Sequence, residues 1–513
     1  MSDYEASSVY KSPISARNAN SEKIDVDTCS KISEDGNVGL SQFEAAKQAD
    51  VRVTVAESRK IARKIDIWIL PMFCISQGLM DKTALNYGNL YGMKTALHVT
   101  GSQFDWIASV FYFGYLIGNY PDGWLLQRFP AGRVFAITTF VWGVIVLITP
   151  ACTNFGGTLA NRFFLGIFEA IVTPGLTILT STWYTQSEVP LRLLIWYSFN
   201  GWLGIFGGFV AYGIGHIKSP AIALWKYIFL ILGAVSVFYS VFLWFFFPDS
   251  PIQARFLSEE EKVLAIKRVA EAKIGVKNTQ VKMYQIKQAL LDPKTYLLFV
   301  ATAAGQTPNG IVSNFSTIII KGMGFTTLQT TLLDAVSSGV QIVGLLVAGW
   351  ISTRFKNMRV ITMVVGNVPC IIGAAALTYL PADQKWNRLV AYWFTLFQTV
   401  GFALSLVMIS NNIGGYTKRT FTNAVTFIGF CIGNIIGPQF LIVSEAPKYT
   451  TGTKAMFVGY IIKAVAHIAL GLYMLWSNVK RDREFGKVIT YEDQLKGEEA
   501  GMHDLTEFEN PIS

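Results

Sequence analysis

The chain has 513 residues, of which 51% are hydrophobic, 14% aromatic and only 15% charged. A typical soluble domain carries about 25% charged residues, so this composition argues against a set of soluble domains. The apolar residues come in runs of about 20, the length that crosses the hydrocarbon core of a bilayer. The net charge of +9 does not indicate a nucleic-acid partner, because the basic residues lie between the apolar runs and form no continuous stripe. The composition predicts a protein embedded in the lipid bilayer.

Twelve apolar segments predict an all-α membrane protein with twelve transmembrane helices, six on each side of a polar central loop. In the first half the predicted spans cover residues 65–86, 104–125, 133–151, 157–182, 193–217 and 225–247. In the second half they cover residues 294–320, 328–351, 360–380, 389–411, 421–443 and 455–477. The resulting regions are a disordered tail (1–64), a six-helix bundle (65–248), a central loop (249–293), a second six-helix bundle (294–478) and a C-terminal tail (479–513).

The basic residues also predict the orientation of the spans. Placing both termini in the cytoplasm gives the cytoplasmic loops and flanks more Lys and Arg residues than the external loops, as the positive-inside rule requires. In the central loop, Ser258 and Glu261 form a capping-box pattern ahead of apolar residues at helical spacing. This pattern predicts an amphipathic helix over residues 258–273 on the inner membrane surface, with its charges on a solvated face.

The loops after the second and eighth predicted spans repeat one pattern of Gly, Trp, Arg, Phe and Arg. The pattern places Gly123, Arg128 and Arg133 in the first loop at the positions of Gly349, Arg354 and Arg359 in the second. Such a recurrence in equivalent loops indicates that the two halves arose by a parallel duplication.

Both loops resemble the cytoplasmic signature of the major facilitator superfamily, Gly-x-Leu-x-Asp-Arg-x-Gly-Arg. Gln127 and Thr353 stand at the acidic position of that signature, so the charge relay that the resemblance implies is weakened here. The resemblance implies a gating or structural role for these loops. A simple role of Arg128 and Arg354 as positive-inside anchors would also explain them.

Four further stretches narrow the resemblance to the anion:cation symporters and, within them, the fungal allantoate permeases. They begin at Asp81 (Asp-Lys-Thr-Ala-Leu-Asn), Arg162 (Arg-Phe-Phe-Leu-Gly-Ile-Phe-Glu-Ala), Pro248 (Pro-Asp-Ser-Pro) and Asn411 (Asn-Asn-Ile-Gly-Gly-Tyr-Thr-Lys-Arg). The likeness runs from about residue 65 to residue 483. It implies a carrier in a fungal plasma membrane, with substrates such as allantoate, ureidosuccinate, vitamins, sulfur compounds or small peptides. We expect a monomer with protons as its coupling ion and no other cofactor.

Four of the ionisable residues in the predicted spans of the first half are notable: Asp81, Lys82, Arg162 and Glu169. Each such group costs at least about 2.5–3.5 kcal/mol near the bilayer centre, so its presence needs a reason. Arg162 and Glu169 are two helical turns apart and share one face of span four. The resemblance places spans one, four, seven and ten around one cavity. We therefore expect these four groups to meet in a single chamber.

The resemblance implies that Asp81 and Glu169 couple protons and that Lys82 and Arg162 bind the anion. A guanidinium suits a carboxylate substrate because its planar fork donates paired hydrogen bonds. A salt bridge between helices would explain Arg162 equally well.

The second half is expected to be short of buried charge. Gln306 and Asn309 flank Pro308 in span seven, which predicts a broken helix and two substrate contacts, with hydrogen bonds between helices as the alternative. Lys463 and His467, four residues apart in span twelve, predict a packing or snorkelling role outside the cavity.

The leading functional prediction is a proton-coupled symporter that imports a small organic anion by alternating access. The alternatives are an uncoupled facilitator, a drug or cation exporter, and a nutrient-sensing receptor with a transporter fold. The glycines of span five, from Gly201 to Gly208, lack the Gly-Pro motif typical of exporters. An enzyme is not expected, because no pattern of a nucleophile with a base, or of metal ligands, stands out in the sequence.

Overall fold

The computed structural model describes residues 54–80, 84–270, 280–355, 357–446, 448–485 and 503–510. Within these ranges every regular element is a helix. The first half consists of α1 (Val55–Gly78), α2 (Ala84–Leu90), α3 (Met93–Ala96), α4 (Gly101–Arg128), α5 (Ala131–Ile148), α6 (Phe155–Glu169), α7 (Val172–Trp183), α8 (Val189–Ile214) and α9 (Leu224–Phe246). Short 3-10 helices follow α5 and α9, at Thr149–Ala151 and Pro251–Gln253.

Two helices, α10 (Glu259–Ala270) and α11 (Met283–Leu291), lie in the central region. The second half consists of α12 (Pro293–Gly322), α13 (Thr327–Arg354), α14 (Arg359–Tyr379), α15 (Lys385–Thr395), α16 (Gln398–Asn412), α17 (Tyr416–Gln439) and α18 (Thr450–Phe485), with a 3-10 helix at Val443–Glu445. Each predicted span corresponds to one helix or to two helices in line. Span one comprises α1 and α2, span four α6 and α7, and span ten α15 and α16.

The outer surface of the bundle is apolar. Nine of the described helical segments, corresponding to spans three to six and eight to twelve, are long and apolar enough to cross a membrane. Phe238 and Leu472 expose 80% and 63% of their surface, which a chain in water would avoid on this scale. Spans two and seven are also long helices, of 28 and 30 residues. They lie between the halves, where α4 packs on α17 and α12 packs on α2.

The two halves meet along α4 with α17 and along α8 with α13. The loop after α4, the central helices and residues 503–510 lie at one end of the bundle, which we term the tail side. The opposite end, with the loops after α3, α8 and α12, is the far side. The described chain starts at Thr54, whose capping box with Glu57 begins α1 before the predicted start of span one at residue 65.

Glycines set the distances between the packed helices. A Cβ atom on Gly166 of α6 would lie 2.0 Å from the carbonyl oxygen of Phe111 in α4. In the second half, Gly429, Gly433 and Gly437 of α17 recur every fourth residue against the backbone of α12. Small residues at this spacing let membrane helices approach closely, where dispersion forces hold them together.

Proline explains the interruption of span four. The helix α6 ends at Glu169 and α7 begins at Val172. Pro174 has no amide hydrogen, and its ring opposes the carbonyl of Ala170 four residues earlier, so the helix breaks there. This break lies in the middle of the span and leaves Glu169 beside it.

Span seven is one continuous helix, so the break predicted beside Pro308 is wrong. Pro308 leaves the carbonyl of Ala304 without its helical donor. Gly459 of α18 packs against that carbonyl so closely that a Cβ atom there would lie 2.6 Å from its oxygen. The neighbouring helix therefore accommodates the proline, as membrane bundles commonly do.

The central helix α10 begins as predicted, with reciprocal hydrogen bonds between Ser258 and Glu261. Its charges do not form only a solvated face. Lys64 of α1 binds Glu261 at 2.6 Å and holds the pKa of that carboxyl below its usual range. Arg268, 1% exposed, pairs with Glu188 at 2.9 Å and donates to the carbonyl of Trp183. The helix is thus fastened to spans one, four and five.

The C-terminal residues 503–510 return to the tail side of the second half. Glu507 binds both Lys418 of α17 and Lys294 of α12, the latter at 2.6 Å. Asp292 lies 3.1 Å from Lys418, and both side chains are fully buried. The Phe508 ring lies 3.7 Å from the Lys418 ammonium. These residues close the ends of spans seven and eleven with one buried ionic cluster.

Candidate functional site

A small polar cavity lies between the two halves. Its volume is about 100 Å³, and side chains from spans one, five, seven, eight and ten form its wall. Its polar lining is mainly amide and hydroxyl groups, from Asn86, Tyr197, Asn200, Asn309, Ser313, Ser316, Ser337, Ser338, Gln341, Tyr392, Gln398 and Thr399. Sites for drug-sized ligands hold about 300–1,000 Å³, so the bundle is contracted around this cavity.

Hydrogen bonds between the halves close the cavity on the far side. Asn86 of α2 donates to Ser316 at 2.7 Å and accepts from the hydroxyl of Thr317 at 2.8 Å. The next residue, Tyr87, donates to Asp334 of α13 at 2.9 Å. The ends of spans one, seven and eight are thereby joined.

A second set of bonds closes the tail side. The side-chain amides of Gln186 and Asn411 each donate to the other residue's backbone carbonyl, at 2.6 and 2.8 Å. Arg359 donates to the same Gln186 carbonyl at 3.3 Å. The cavity is therefore separated from both ends by contacts between the halves. Gln186 lies in a polar loop without a motif, and only its partner in span ten shows its role.

The predicted residues of span seven belong to one amide network. Asn434 of α17 donates to Gln306 at 3.1 Å and accepts from Asn309 at 3.0 Å. Gln398 of α16 donates to Asn309 at 3.4 Å and accepts from Tyr460 of α18 at 3.1 Å. Asn309 lines the cavity, whereas Gln306 lies behind it. Gln306 and Asn309 therefore form the hydrogen bonds between helices that were the alternative to substrate contacts. Asn309 also faces the cavity, where a substrate would bind.

Arg162 and Glu169 are both buried, with 3% and 0% of their surface exposed. The Arg162 guanidinium lies 5.4 Å from the centre of the Phe229 ring in α9. Tyr112 of α4 lies within electrostatic range of both charged groups. Neither residue lines the described cavity. The helix α6 directs them into the first half, toward α4 and α9. The expected meeting of the four charged groups in one chamber stays a prediction, because Asp81 and Lys82 lie outside the described residues.

Asp81 and Lys82 lie outside the described residues. The helix of span one ends at Gly78 and resumes at Ala84. Gly78, Met80 and Asn86 on either side of this stretch line the cavity. The predicted roles of Asp81 and Lys82 therefore stay predictions.

A buried carboxyl group in the second half was not predicted from the sequence. Asp334 in α13 is 7% exposed and lines the cavity. Lys463 of α18 is also buried and donates to the carbonyl of Gln398 at 2.6 Å. The expectation of a second half short of buried charge is wrong. Of the two roles expected for Lys463, its burial fits packing and not snorkelling. The sequence does contain a sign of this site, because Asp334 is the single acidic residue of predicted span eight, just as Glu169 is the single acidic residue of predicted span four.

The two repeated loops contact the opposite half at equivalent places. A Cβ atom on Gly123 would lie 3.9 Å from Thr420 of α17, and one on Gly349 would lie 3.2 Å from Leu194 of α8. Arg128, Arg133 and Arg354 are exposed, and Arg359 reaches Gln186. This placement fits the predicted gating or structural role, which stays a prediction. The repeated glycines, Gly123 and Gly349, contact the opposite half, whereas the exposed arginines do not lie at this boundary between the halves.

The Pro-Asp-Ser-Pro stretch supports the first of these loops. Asp249 accepts a hydrogen bond from the backbone amide of Gly132 at 2.7 Å. A Cβ atom on Gly132 would lie 2.3 Å from the carbonyl oxygen of Phe247, so the loop and the end of span six are in close contact.

The sequence profile of the Major Facilitator Superfamily matches residues 72–438. The chain belongs to this superfamily. An uncharacterized transporter of Schizosaccharomyces pombe is 36% identical over 452 residues, which cover 88% of this chain and 85% of that protein. Allantoate permease of Saccharomyces cerevisiae is 30% identical over 495 residues, which cover 94% and 90% respectively. The resemblance drawn from the motifs is confirmed by these matches.

Solved structures share the fold. The proton:xylose symporter XylE, bound to 6-bromo-6-deoxy-D-glucose, superposes with a TM-score of 0.60 at 14% identity, covering 82% of this chain and 96% of XylE. This likeness confirms the twelve-span major facilitator fold in two six-helix halves. These relatives are transporters. The chain is therefore a transporter, a multi-pass integral membrane protein, and not an enzyme.

Proposed function

We propose that this facilitator protein is a proton-coupled symporter that imports a small organic anion by alternating access. The observation that carries the proposal is the polar cavity closed on both sides by contacts between the halves. A substrate in that cavity reaches the far side only when the Asn86 contacts break, and the tail side only when the Gln186 contacts break. The halves must therefore open in turn around one site.

The lining supports a substrate that combines a carboxylate with other hydrogen-bonding groups. The amides of Asn200, Asn309 and Gln398 supply both donors and acceptors, and the serine hydroxyls supply further donors. Ureide acids such as allantoate and ureidosuccinate match this set, as do vitamins, sulfur compounds and small peptides that carry a carboxylate. The relative named for allantoate transport supports the same class.

Charged groups of the first half supply the proposed coupling. Glu169 is wholly buried beside the break in span four, where a change in the angle between α6 and α7 alters its surroundings. A carboxyl group that alternates between dry and wetter surroundings takes up and releases protons. Arg162 on the same helix provides positive charge for an anion, together with Lys82. Asp81 is the second proposed proton carrier.

The tail side is proposed as the cytoplasmic side, because the basic loops lie there. We further propose a monomer in the fungal plasma membrane, with both termini inside, that uses protons and no bound cofactor. Its partners are the substrate and the lipid bilayer.

Uptake measurements test the coupling. In cells that lack the chromosomal gene, the wild-type protein should accumulate one of a panel of labelled organic anions several-fold faster at pH 5 than at pH 7.5. Glu169→Gln should abolish that ratio, because the amide does not titrate. The matched control is Glu260→Gln on the exposed face of α10, which should keep the ratio. An unchanged pH ratio in Glu169→Gln would remove Glu169 from the coupling mechanism.

A cationic substrate is the second candidate. Among the described residues that line the cavity, Asp334 is ionisable and acidic, and the lining includes no Lys or Arg. The same uptake panel separates the two candidates when it includes organic cations. Accumulation of cations and of no anion would replace the anion proposal with this one.

A further inference from the structure

We propose that Asp334 carries a coupling proton in the second half and that its bond to Tyr87 links this proton to the far-side gate. The inference rests on the proposed proton-coupled import and adds a carrier that the sequence motifs did not indicate. Three observations support it: the position of Asp334 on the cavity wall, its partner in the other half, and the uncharged groups around it.

Asp334 lies where a proton and a substrate influence each other. It is the eighth residue of α13, about 10 Å below the far end of that helix at a rise of about 1.5 Å per residue. It lines the same cavity as Asn309 and Gln398. An ionised carboxylate on this wall repels an anion, and a protonated one does not. Binding of the anion and binding of the proton therefore favour each other.

The partner of Asp334 belongs to the other half. Tyr87, 1% exposed, lies on α2 at the far end of span one and donates to Asp334 across the boundary. A Cβ atom on Gly208 of α8 would lie 3.2 Å from the Tyr87 hydroxyl, so the tyrosine is packed tightly against span five. The preceding residue, Asn86, makes the other far-side contacts. Opening of the far side must break the Tyr87–Asp334 bond and expose the carboxyl group to water.

The groups that face Asp334 are uncharged. Tyr87 approaches from α2, Tyr392 from α15, and Ser316 from α12. The helix α8 presents glycines to this part of α13. No lysine or arginine among the described residues faces the carboxyl group; residues 81–83 are not described. An ionised carboxylate in these surroundings is costly, and a proton removes the charge.

The proton balance is simple. With the far side open, water delivers a proton to a carboxylate oxygen of Asp334. The neutral acid still accepts the Tyr87 hydrogen bond, so the gate closes over proton and anion together. When the tail side opens, both leave, and the proton returns to water.

Two variants separate titration from hydrogen bonding. Asp334→Asn keeps an acceptor for Tyr87 but cannot titrate, whereas Tyr87→Phe removes the bond and keeps the acid. We expect Asp334→Asn to exchange labelled for unlabelled substrate at a rate independent of pH and to lose at least tenfold in accumulation driven by a pH gradient. We expect Tyr87→Phe to retain a pH-dependent rate with an altered KM. Gradient-driven accumulation by Asp334→Asn at the wild-type level would overturn the inference.

A measurement without substrate keeps this inference separate from the proposed function. The thermal stability of the purified protein should depend on pH between 5 and 8 differently in the wild type and in Asp334→Asn, because one titrating group is lost. Identical profiles would show that Asp334 does not titrate and would overturn the inference. Differing profiles without gradient-driven uptake of any substrate in the wild type would instead reject the proposed symport. Loss of cation binding in Asp334→Asn would make Asp334 a counter-ion for the substrate and would also overturn the inference.

Discussion

Replacing Gly166 by alanine is expected to abolish the accumulation of folded protein. A single methyl group at this position would lie 2.0 Å from the carbonyl oxygen of Phe111 and 2.9 Å from the amide nitrogen of Tyr115, all fixed backbone atoms of α4. Because backbone cannot rotate away as a side chain can, α4 and α6 must separate. That separation loses the dispersion contacts that hold spans two and four together in the membrane. The measurement is the fraction of monodisperse protein extracted in mild detergent and its unfolding temperature.

The second half offers a matched control. Gly339 lies inside the long helix α13, and a Cβ atom there would have no neighbour within 4 Å. Alanine at an unobstructed helical position is more favourable than glycine by about 0.5–1 kcal/mol. Gly339→Ala should therefore leave stability unchanged or raise it, and Gly166→Ala should lower it sharply. Equal stability of the two variants would contradict the packing described for spans two and four.

Glu507→Gln is expected to destabilise the tail side of the second half strongly. The substitution leaves the buried ammonium groups of Lys418 and Lys294 with Asp292 as the remaining carboxylate of their cluster. Removing one partner from a buried ion pair typically costs about 3–5 kcal/mol, because the charge left behind stays desolvated. Unfolding followed by intrinsic fluorescence in detergent should show a lower midpoint for this variant. Glu509→Gln, on an exposed side chain two residues later, is the matched control and should keep the wild-type midpoint.

The same cluster should make the protein sensitive to acid. Burial alone would raise the pKa of Glu507, but Lys294 and Lys418 outweigh that effect and hold it below its usual range. A carboxyl group with a lowered pKa in the folded state stabilises the fold above its unfolded pKa of about 4.3. This contribution disappears as the pH falls through the lower folded value. The stability difference between wild type and Glu507→Gln should therefore be full at pH 7 and shrink below about pH 4. A difference that persisted unchanged in acid would exclude Glu507 as its source.

The sequence by itself determined the membrane class and the twelve spans, and it predicts the duplication of the two halves. Each of these depends on local composition: apolar runs long enough to cross a bilayer, basic residues between them, and the loop pattern shared by Gly123 and Gly349. The start of α10 was also predictable, because the capping box of Ser258 and Glu261 involves residues three apart. Family membership followed from motifs of the same short range.

The candidate site was only partly predictable, because periodicity shows which residues share a helix face but not which neighbour that face meets. Arg162 and Glu169 do share a face of α6, yet the close crossing at Gly166 turns them toward α4 and α9 in the first half. Asn309 lines the cavity, while Gln306, three residues earlier, lies behind it in the amide network, and the substrate contacts predicted for both stay predictions. The rotation of each helix about its own axis decides which of its residues face the cavity and which face a neighbouring helix. The packing of the helices against one another sets that rotation.

The remaining features needed partners distant in sequence. Asp334 becomes a gate residue only through Tyr87, 247 positions earlier in the chain. Gln186 closes the tail side through Asn411 and Arg359, both more than 170 positions later in the chain. The polar segment around Glu507 has no recognisable pattern, and its role appears only in its contacts with Lys418 and Lys294. Hydrophobic burial, which local composition reveals, fixes where the helices lie. Pairing of buried polar groups depends on which helices come together, and the tertiary structure alone decides it.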